Sequence, residues 1–424
     1  MTDLPFLWGA ATSAHQVEGQ NLANDWWAWE QAGKVKECSG LACDHYRLFR
    51  EDIALAARLG HTAHRFSLEW SRLEPKENQW DEEAFRHYEE VLKELRSHHI
   101  EPLVTLHHFT VPLWFHERGG WLSADAVHLF SRYVKKAVEV FGPCVRYWIT
   151  LNEPTIFLYF GFYEGSWPPG VRSFSDSMKV FRHLLHAHLE AYHAIHNHYE
   201  SVLRKPVAVS IAQHMTHFTP CRPNLPTDRI STFLRDRFVN HLFFEAALNG
   251  FLFFPGLFCE RLPRARTLDF LGVNYYTRDF IRFAGLRDGK ILGTACEKAH
   301  HKNEMGERNV MGWEVYPEGL YRTLRRLMKY HLPILITENG ICAREDGQRT
   351  RFIRDHLAAV ARAKAEGVPV FGYFYWSLLD NFEWAHGFEP RFGIVEVDYQ
   401  NQARKVRESA QVLTECCRQL GGGG

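Results

Sequence analysis

The sequence predicts an α/β protein built as a single (β/α)₈ TIM barrel, and three observations carry that expectation. Eight short, nearly continuous apolar runs recur along the chain, as strands covered on both faces do. The stretches between them place apolar residues at helical spacing against a charged opposite face, giving the crossover helices that parallel strands require. At 424 residues the chain exceeds the size at which one core usually stops growing, yet no Pro/Gly/Ser-rich linker or repeat divides it. One large barrel over residues 1–420 meets all three, with Gly421 to Gly424 expected to be a disordered tail.

The eight runs, in order, are FLWGAAT from Phe6, HRFSLEW from His64, EPLVTLHHF from Glu101, RYWITLNE from Arg146, PVAVSIAQH from Pro206, LDFLGVNYY from Leu268, PILITENG from Pro333 and PVFGYFYWSL from Pro369. The clearest helical stretches between them are YRLFREDIALAARLG, AFRHYEEVLKELRSHH and GLYRTLRRLMKYH. An open doubly wound sheet is the rival, but GAATSAHQVEG after the first run lacks the GxGxxG phosphate loop.

Composition narrows the function. Fifty basic residues balance fifty acidic ones, so no global field favours nucleic acid, an anionic membrane or a highly charged substrate. The stretch FVNHLFFEAALNGFLFFPGLF at 238–258 is apolar, but Asn240, His241, Glu245, Asn249 and Pro255 interrupt it. It is therefore expected to be a buried barrel helix and not a membrane span. The N-terminal stretch has no basic region leading into an apolar one, so the expected location is cytoplasmic. Nine scattered cysteines without a CxxC pair indicate neither a disulfide framework nor a thiolate zinc site. Of the histidines in HLLHAHLEAYHAIHNH (183–198), His186 and His193 share a helical face, but no Asp or Cys completes a ligand set, so no metal and no cofactor are expected. The outer helices offer no patch from which an oligomeric state follows.

In such a barrel the active site forms at the C-terminal ends of the strands, and polar residues concentrate there at seven of the eight runs. They are Gln16 and Glu18, Arg65, His107 and His108, Asn152 and Glu153, Asn274 and Tyr276, Glu338 and Asn339, and Trp376 followed by Glu383 and Trp384. Any one of them read alone is a helix cap or a satisfied core polar group. Two strands that stop at a carboxylate, Glu153 and Glu338, place two acids at one barrel mouth. That pair is what glycosidic cleavage uses: one acid protonates the departing oxygen while the other stabilises or attacks the anomeric carbon. Trp376, Trp384, Tyr276, Phe109, Trp313 and Phe392 supply apolar platforms for sugar faces, with Gln, His and Asn as hydroxyl partners.

With these motifs in view, the chain resembles family 1 glycoside hydrolases, the β-glucosidase and β-galactosidase type, from Phe6 to about Tyr399. FLWGAATSAHQVEG resembles that family's N-terminal signature, TLNEP its acid/base motif, NYYT its sixth-strand motif, ITENG its nucleophile motif and WSLLDNFEW its eighth-strand motif. The resemblance implies that Glu153 is the acid/base, that Glu338 is the nucleophile, and that the anomeric configuration is retained. It also makes Arg65 and Tyr276 partners of the nucleophile and sets Asn274 close to the acid/base. Gln16, His108, Asn152, Glu383 and Trp384 become sugar-binding residues, Trp376 the floor of that subsite and Trp313 a wall of the aglycone site. Where many relatives read HWDLP, this chain has His108-Phe109-Thr110-Val111-Pro112, so an aromatic is kept while the Trp and Asp are replaced.

The implied substrate is a small β-glycoside whose non-reducing terminal sugar is released in two steps through a covalent glycosyl-enzyme. Three alternatives stay open: a transglycosylase on the same intermediate, a 6-phospho-β-glycosidase, and a non-catalytic sugar-binding homologue. Glu383 opposes the second by repelling phosphate, as does Phe392, which stands where a Tyr is expected. The presence of both glutamates opposes the third.

Overall fold

The computed structural model describes residues 6–301 and 306–421. Each of the eight apolar runs forms a strand: β1 (Leu7–Ala11), β2 (Ala63–Ser67), β3 (Glu101–His107), β4 (Tyr147–Asn152), β5 (Ala208–Pro220), β6 (Leu271–Arg282), β7 (Ile334–Asn339) and β8 (Val370–Trp376). They pair in parallel in chain order, β8 returns to β1, and β6 pairs with β7, so the sheet closes with no free edge inside the barrel. Gly9 in β1 permits a close approach of neighbouring strands, since a Cβ there would lie 1.9 Å from the Ala63 carbonyl oxygen of β2.

The outer ring is α1 (His45–Arg58), α2 (Glu82–Ser97), α3 (Ala126–Phe141), α4 (Phe174–His198), α5 (Leu242–Asn249, preceded by helix Pro226–Asp236), α6 (Pro317–Leu327), α7 (Asp346–Ala365) and α8 (Glu408–Leu420). Local chemistry starts them: the Asp81 carboxylate accepts from the amides of Glu83 and Ala84 to cap α2, and the Ser173 hydroxyl accepts from Asp176 to cap α4. Inward residues such as Leu7, Leu103, Ile149, Ala212, Leu335 and Phe374 fill the barrel. Outward ones such as Val104, Trp148, Val273 and Ile336 pack under the helices.

One expectation needs correction. Only the first part of 238–258 is helical, because Gly250 adopts φ 68° and ends α5. Phe251–Phe254 then pairs antiparallel with Phe258–Arg261, exposing Phe251 and Phe253 and burying Leu252 and Phe254. A turn at Pro255-Gly256 and a two-residue alternation override the apolar composition. Among the described residues no helix is long and apolar enough to cross a membrane. Three histidines of 183–198 serve the structure: His186 pairs with Glu260 at 3.0 Å, His188 bonds Thr150 and the Thr267 carbonyl, and His196 pairs with Asp269. Gly421 follows α8, whereas the tail residues 422–424 lie outside the described residues.

Candidate active site

A cavity of about 680 Å³ opens at the C-terminal end of the barrel. Gln16, His108, Phe109, Asn152, Glu153, Tyr276, Trp313, Glu338, Trp376, Glu383, Trp384 and Phe392 all line it. Arg65 and Asn274 are fully buried beneath them. Strand alternation sorts the remaining strand-end residues. His107 points outward among Trp121, Phe130 and Phe157. Asn339 is spent on the Tyr275 carbonyl and the Tyr373 hydroxyl. Glu18 is held by Arg72 and Tyr88 away from the cavity.

Glu338 ends β7 with both carboxylate oxygens engaged. Arg65 Nη1 donates to Oε1 at 2.6 Å, and the Tyr276 hydroxyl donates to Oε2 at 2.6 Å. Burial pushes the Glu338 carboxyl up to about 7; Arg65 pulls it back, the charge of Glu153 adds to the rise, and the Tyr276 hydroxyl opposes it. The Tyr276 phenol is itself held well above its ordinary value by burial and then by Glu338, so it remains a donor.

Glu153 stands between β4 and a short helix that begins at Pro154. Proline disfavours the right-handed helical region for the residue before it, and Glu153 takes φ 44° instead. Asn274 Nδ2 donates to its Oε1 at 2.9 Å, and His214 Nδ1 lies 3.1 Å from the same oxygen. Among the described residues no hydrogen bond engages Oε2. Phe109 (φ 72°) and Trp384 (φ 49°) also sit in the left-handed region. Three such residues around one cavity, each costing about 1–3 kcal/mol, mark a place where the fold holds backbone strain.

A shared network ties the two carboxylates together. Asn152 Oδ1 accepts from Arg65 Nη2 at 2.7 Å and from Asn274 Nδ2 at 3.1 Å, while the Thr337 hydroxyl donates to Asn274 Oδ1 at 2.6 Å. Asn152 Nδ2 donates to His108 Nε2 at 3.2 Å. Burial, and then Arg65, holds His108 well below its ordinary value, so the ring is neutral. It lies parallel to Trp376 and Trp384 at 5.8 and 6.2 Å.

On the opposite wall Gln16 Nε2 donates to Asn381 Oδ1, the Phe382 carbonyl and, at 3.3 Å, Glu383 Oε2. Burial pushes Glu383 up to about 8, with the charges of Glu338 and Glu153 adding to it. Trp313 and Phe392 pack against Tyr276. Beyond these groups the cavity has an apolar face of Tyr159, Phe160, Trp167, Met178, Phe218 and Leu292, with Glu164, Arg235 and Asp279 also in its lining.

Two of these features escape the sequence pattern. The fifth run ends in His214, yet no site residue is expected from it; its position at a strand end was the available signal. Burial acts to lower the His214 pKa, but Glu153 beside it overrides this and the net shift is upward. Trp167, stacked on Phe160 and near Trp384, comes from a loop with no periodic signal.

Comparison with known proteins gives a consistent result. The profile described as glycosyl hydrolase family 1 matches residues 3–255 and 259–421. The chain is 33% identical to a protein named beta-glucosidase A of Thermotoga maritima over 438 residues, covering 95% of each. Among solved structures, it superposes on a beta-glycosidase from Pyrococcus horikoshii with TM-score 0.90 and 40% identity, covering 97% of this chain and 94% of that one. It matches a beta-glucosidase from Thermotoga maritima in complex with glucoimidazole with TM-score 0.88 and 31% identity over the whole of both chains.

Proposed function

The chain belongs to glycosyl hydrolase family 1 and is an O-glycoside hydrolase, and from that premise we propose that it is a retaining β-glycosidase acting on neutral terminal sugars. The observation that carries this reading is the unequal environment of its two carboxylates. Glu338 has a guanidinium on one oxygen and a phenol on the other, two donors that favour its anion against the rise that burial imposes. Glu153 has Oε1 oriented by Asn274 and His214, which leaves Oε2 to meet the glycosidic oxygen.

In this mechanism Glu338 attacks the anomeric carbon while Glu153 passes its proton to the departing oxygen, giving a glycosyl ester on Glu338. Once that ester has consumed the negative charge of Glu338, Glu153 becomes the base that takes a proton from water. The water attacks the same carbon from the face the aglycone left, so configuration is retained. Arg65 and Tyr276 receive the carboxylate again when the ester breaks.

Gln16 and Glu383 are the hydroxyl readers, with Trp376 and Trp384 beneath and beside the ring. The cavity lining carries Glu153, Glu164, Asp279, Glu338 and Glu383 against the guanidinium of Arg235, a balance that makes an anionic or phosphorylated sugar a poor guest. The apolar face of the outer cavity favours an aryl or alkyl aglycone, or the next sugar presenting an apolar face. Glucosides are the expected first choice, and Glu383 also accommodates an axial hydroxyl, as in galactosides or fucosides.

Incubation with a 2-deoxy-2-fluoro β-glycoside carrying a good leaving group, followed by peptide mass mapping, tests the mechanism. A label on the Glu338 peptide supports it. A label elsewhere, or an α-anomer as the first product by NMR, overturns it. Product analysis at high sugar concentration separates hydrolysis from transfer, since only the acceptor differs.

A further inference from the structure

A second group of reactive side chains lies outside the carboxylate site. Cys221 directly follows β5, and its amide donates to the Ile281 carbonyl of β6. Thr294–Ala295 pairs antiparallel with the same end of β6, and the Cys296 amide donates to the Phe280 carbonyl. Two thiols 75 residues apart are thereby brought to an Sγ–Sγ distance of 2.7 Å. His301 Nε2 lies 3.4 Å from Cys221 Sγ, and its buried ring stacks on Phe280 with centroids 3.8 Å apart and planes 6° apart. One ligand atom from each of Cys221, Cys296 and His301 falls within 4.8 Å of the others, and His300 Nδ1 approaches Cys296 Sγ at 3.6 Å from the solvent side.

We propose that Cys221, Cys296 and His301 form a binding site for a thiophilic metal ion, with zinc the best match. Two thiolates and an imidazole are a soft, borderline donor set, and a water or His300 completes a tetrahedron. With bonds of about 2.3 Å to sulfur and about 2.0–2.1 Å to nitrogen, a tetrahedral site has an S–N edge of about 3.5 Å and an S–S edge of about 3.8 Å. The His301–Cys221 distance already meets the first. The second needs the sulfurs to part by about 1 Å, within reach of rotating one thiol at the sheet edge. Binding releases two thiol protons and moves no electrons.

The imidazole adds a third ligand atom, which a disulfide between the two sulfurs would not use. All nine cysteines are free thiols here, and where thiols are kept reduced, convergent Cys and His side chains read as a metal site. The placement has a consequence. Gly293, Thr294 and Ala295 line the outer half of the catalytic cavity. A metal at Cys296 therefore fastens that wall to the end of β5.

The test uses the whole chain, purified with reductant and chelator, desalted and titrated with Co²⁺. The expected result is a thiolate-to-cobalt charge-transfer band that saturates at one cobalt per chain and is bleached by Zn²⁺, with a rise in Tm of a few degrees on zinc addition. Cys221→Ser and Cys296→Ser should each lose the band, His301→Gln should weaken binding, and Cys259→Ser, an exposed thiol elsewhere, should bind like wild type. Absence of the band in the wild-type chain overturns the proposal, whatever the variants do. So does a band that survives Cys221→Ser, or recovery of Cys221 and Cys296 as a disulfide from chain prepared without reductant.

Discussion

Replacing Tyr276 by Phe removes one oxygen and almost no volume, so it isolates the hydroxyl that donates to Glu338 Oε2 at 2.6 Å. Both residues are buried, at 8% and 3% exposure, so solvent screening does little to dilute the bond. A hydrogen bond to a charged group contributes about 1.5–3 kcal/mol, and one pKa unit corresponds to about 1.4 kcal/mol. Taking the low end, because Arg65 still holds Oε1, the Glu338 carboxyl should rise by about one pH unit from its value of about 7. Glu338 must be ionised to attack, so activity is lost as pH falls through its pKa. The acid limb of kcat/KM, near pH 7 in the wild type, should therefore move up by about one unit, and at about pH 6 the variant should lose roughly a further tenfold. The assay is the pH profile of kcat/KM on a nitrophenyl β-glycoside, paired with circular dichroism to confirm folding. An acid limb that stays in place with a rate within about twofold of wild type would show that Glu338 is not an ionised nucleophile held by this phenol.

Three further outcomes are expected. Glu153→Ala should lose about 10²–10⁴-fold on an alkyl glycoside whose leaving oxygen needs a proton, and far less on a dinitrophenyl glycoside; equal losses on both would contradict the acid role. Glu383→Ala should lower kcat/KM by about 10–100-fold on the intact sugar, yet only slightly on the analogue lacking the hydroxyl it reads, as kinetics on deoxy substrates will show. Stability should fall on both sides of mildly acidic pH. Burial raises Glu338 to about 7 and Glu383 and Asp25 to about 8, above their ordinary values of 4.5, 4.5 and 3.8. Their contribution is present at low pH and is lost as pH rises through those values. His61, His107 and His356, lowered from 6.5 to about 3 by burial, contribute stability that is lost as pH falls from 6.5 through 3. Urea unfolding should accordingly give its highest midpoint between pH 4.5 and 6.5; a midpoint that climbs steadily to alkaline pH would contradict this.

The barrel was legible because its strands and helices are written in local periodicities. β4 and β7 could be placed to within two residues since apolar runs buried on both faces stop abruptly at Asn152-Glu153 and Glu338-Asn339. The stretch at 238–258 misled for the converse reason. Its apolar content is continuous, and only the left-handed Gly250 with the turn at Pro255-Gly256 divides a helix from a hairpin. His107 and His108 are neighbours in sequence, but the pleat sends one to the helix layer and the other to the cavity.

What the sequence determined by itself is the set of groups delivered to the barrel mouth, because strand order and strand ends follow from short-range pattern. Tertiary structure decided how those groups act on one another. Arg65 and Tyr276 close on Glu338 from two strands, and His214 reaches Glu153 from a third. Cys221 meets Cys296 across 75 residues of chain. Electrostatics and hydrogen bonds depend on distance and burial through space, and neither is encoded in spacing along the chain.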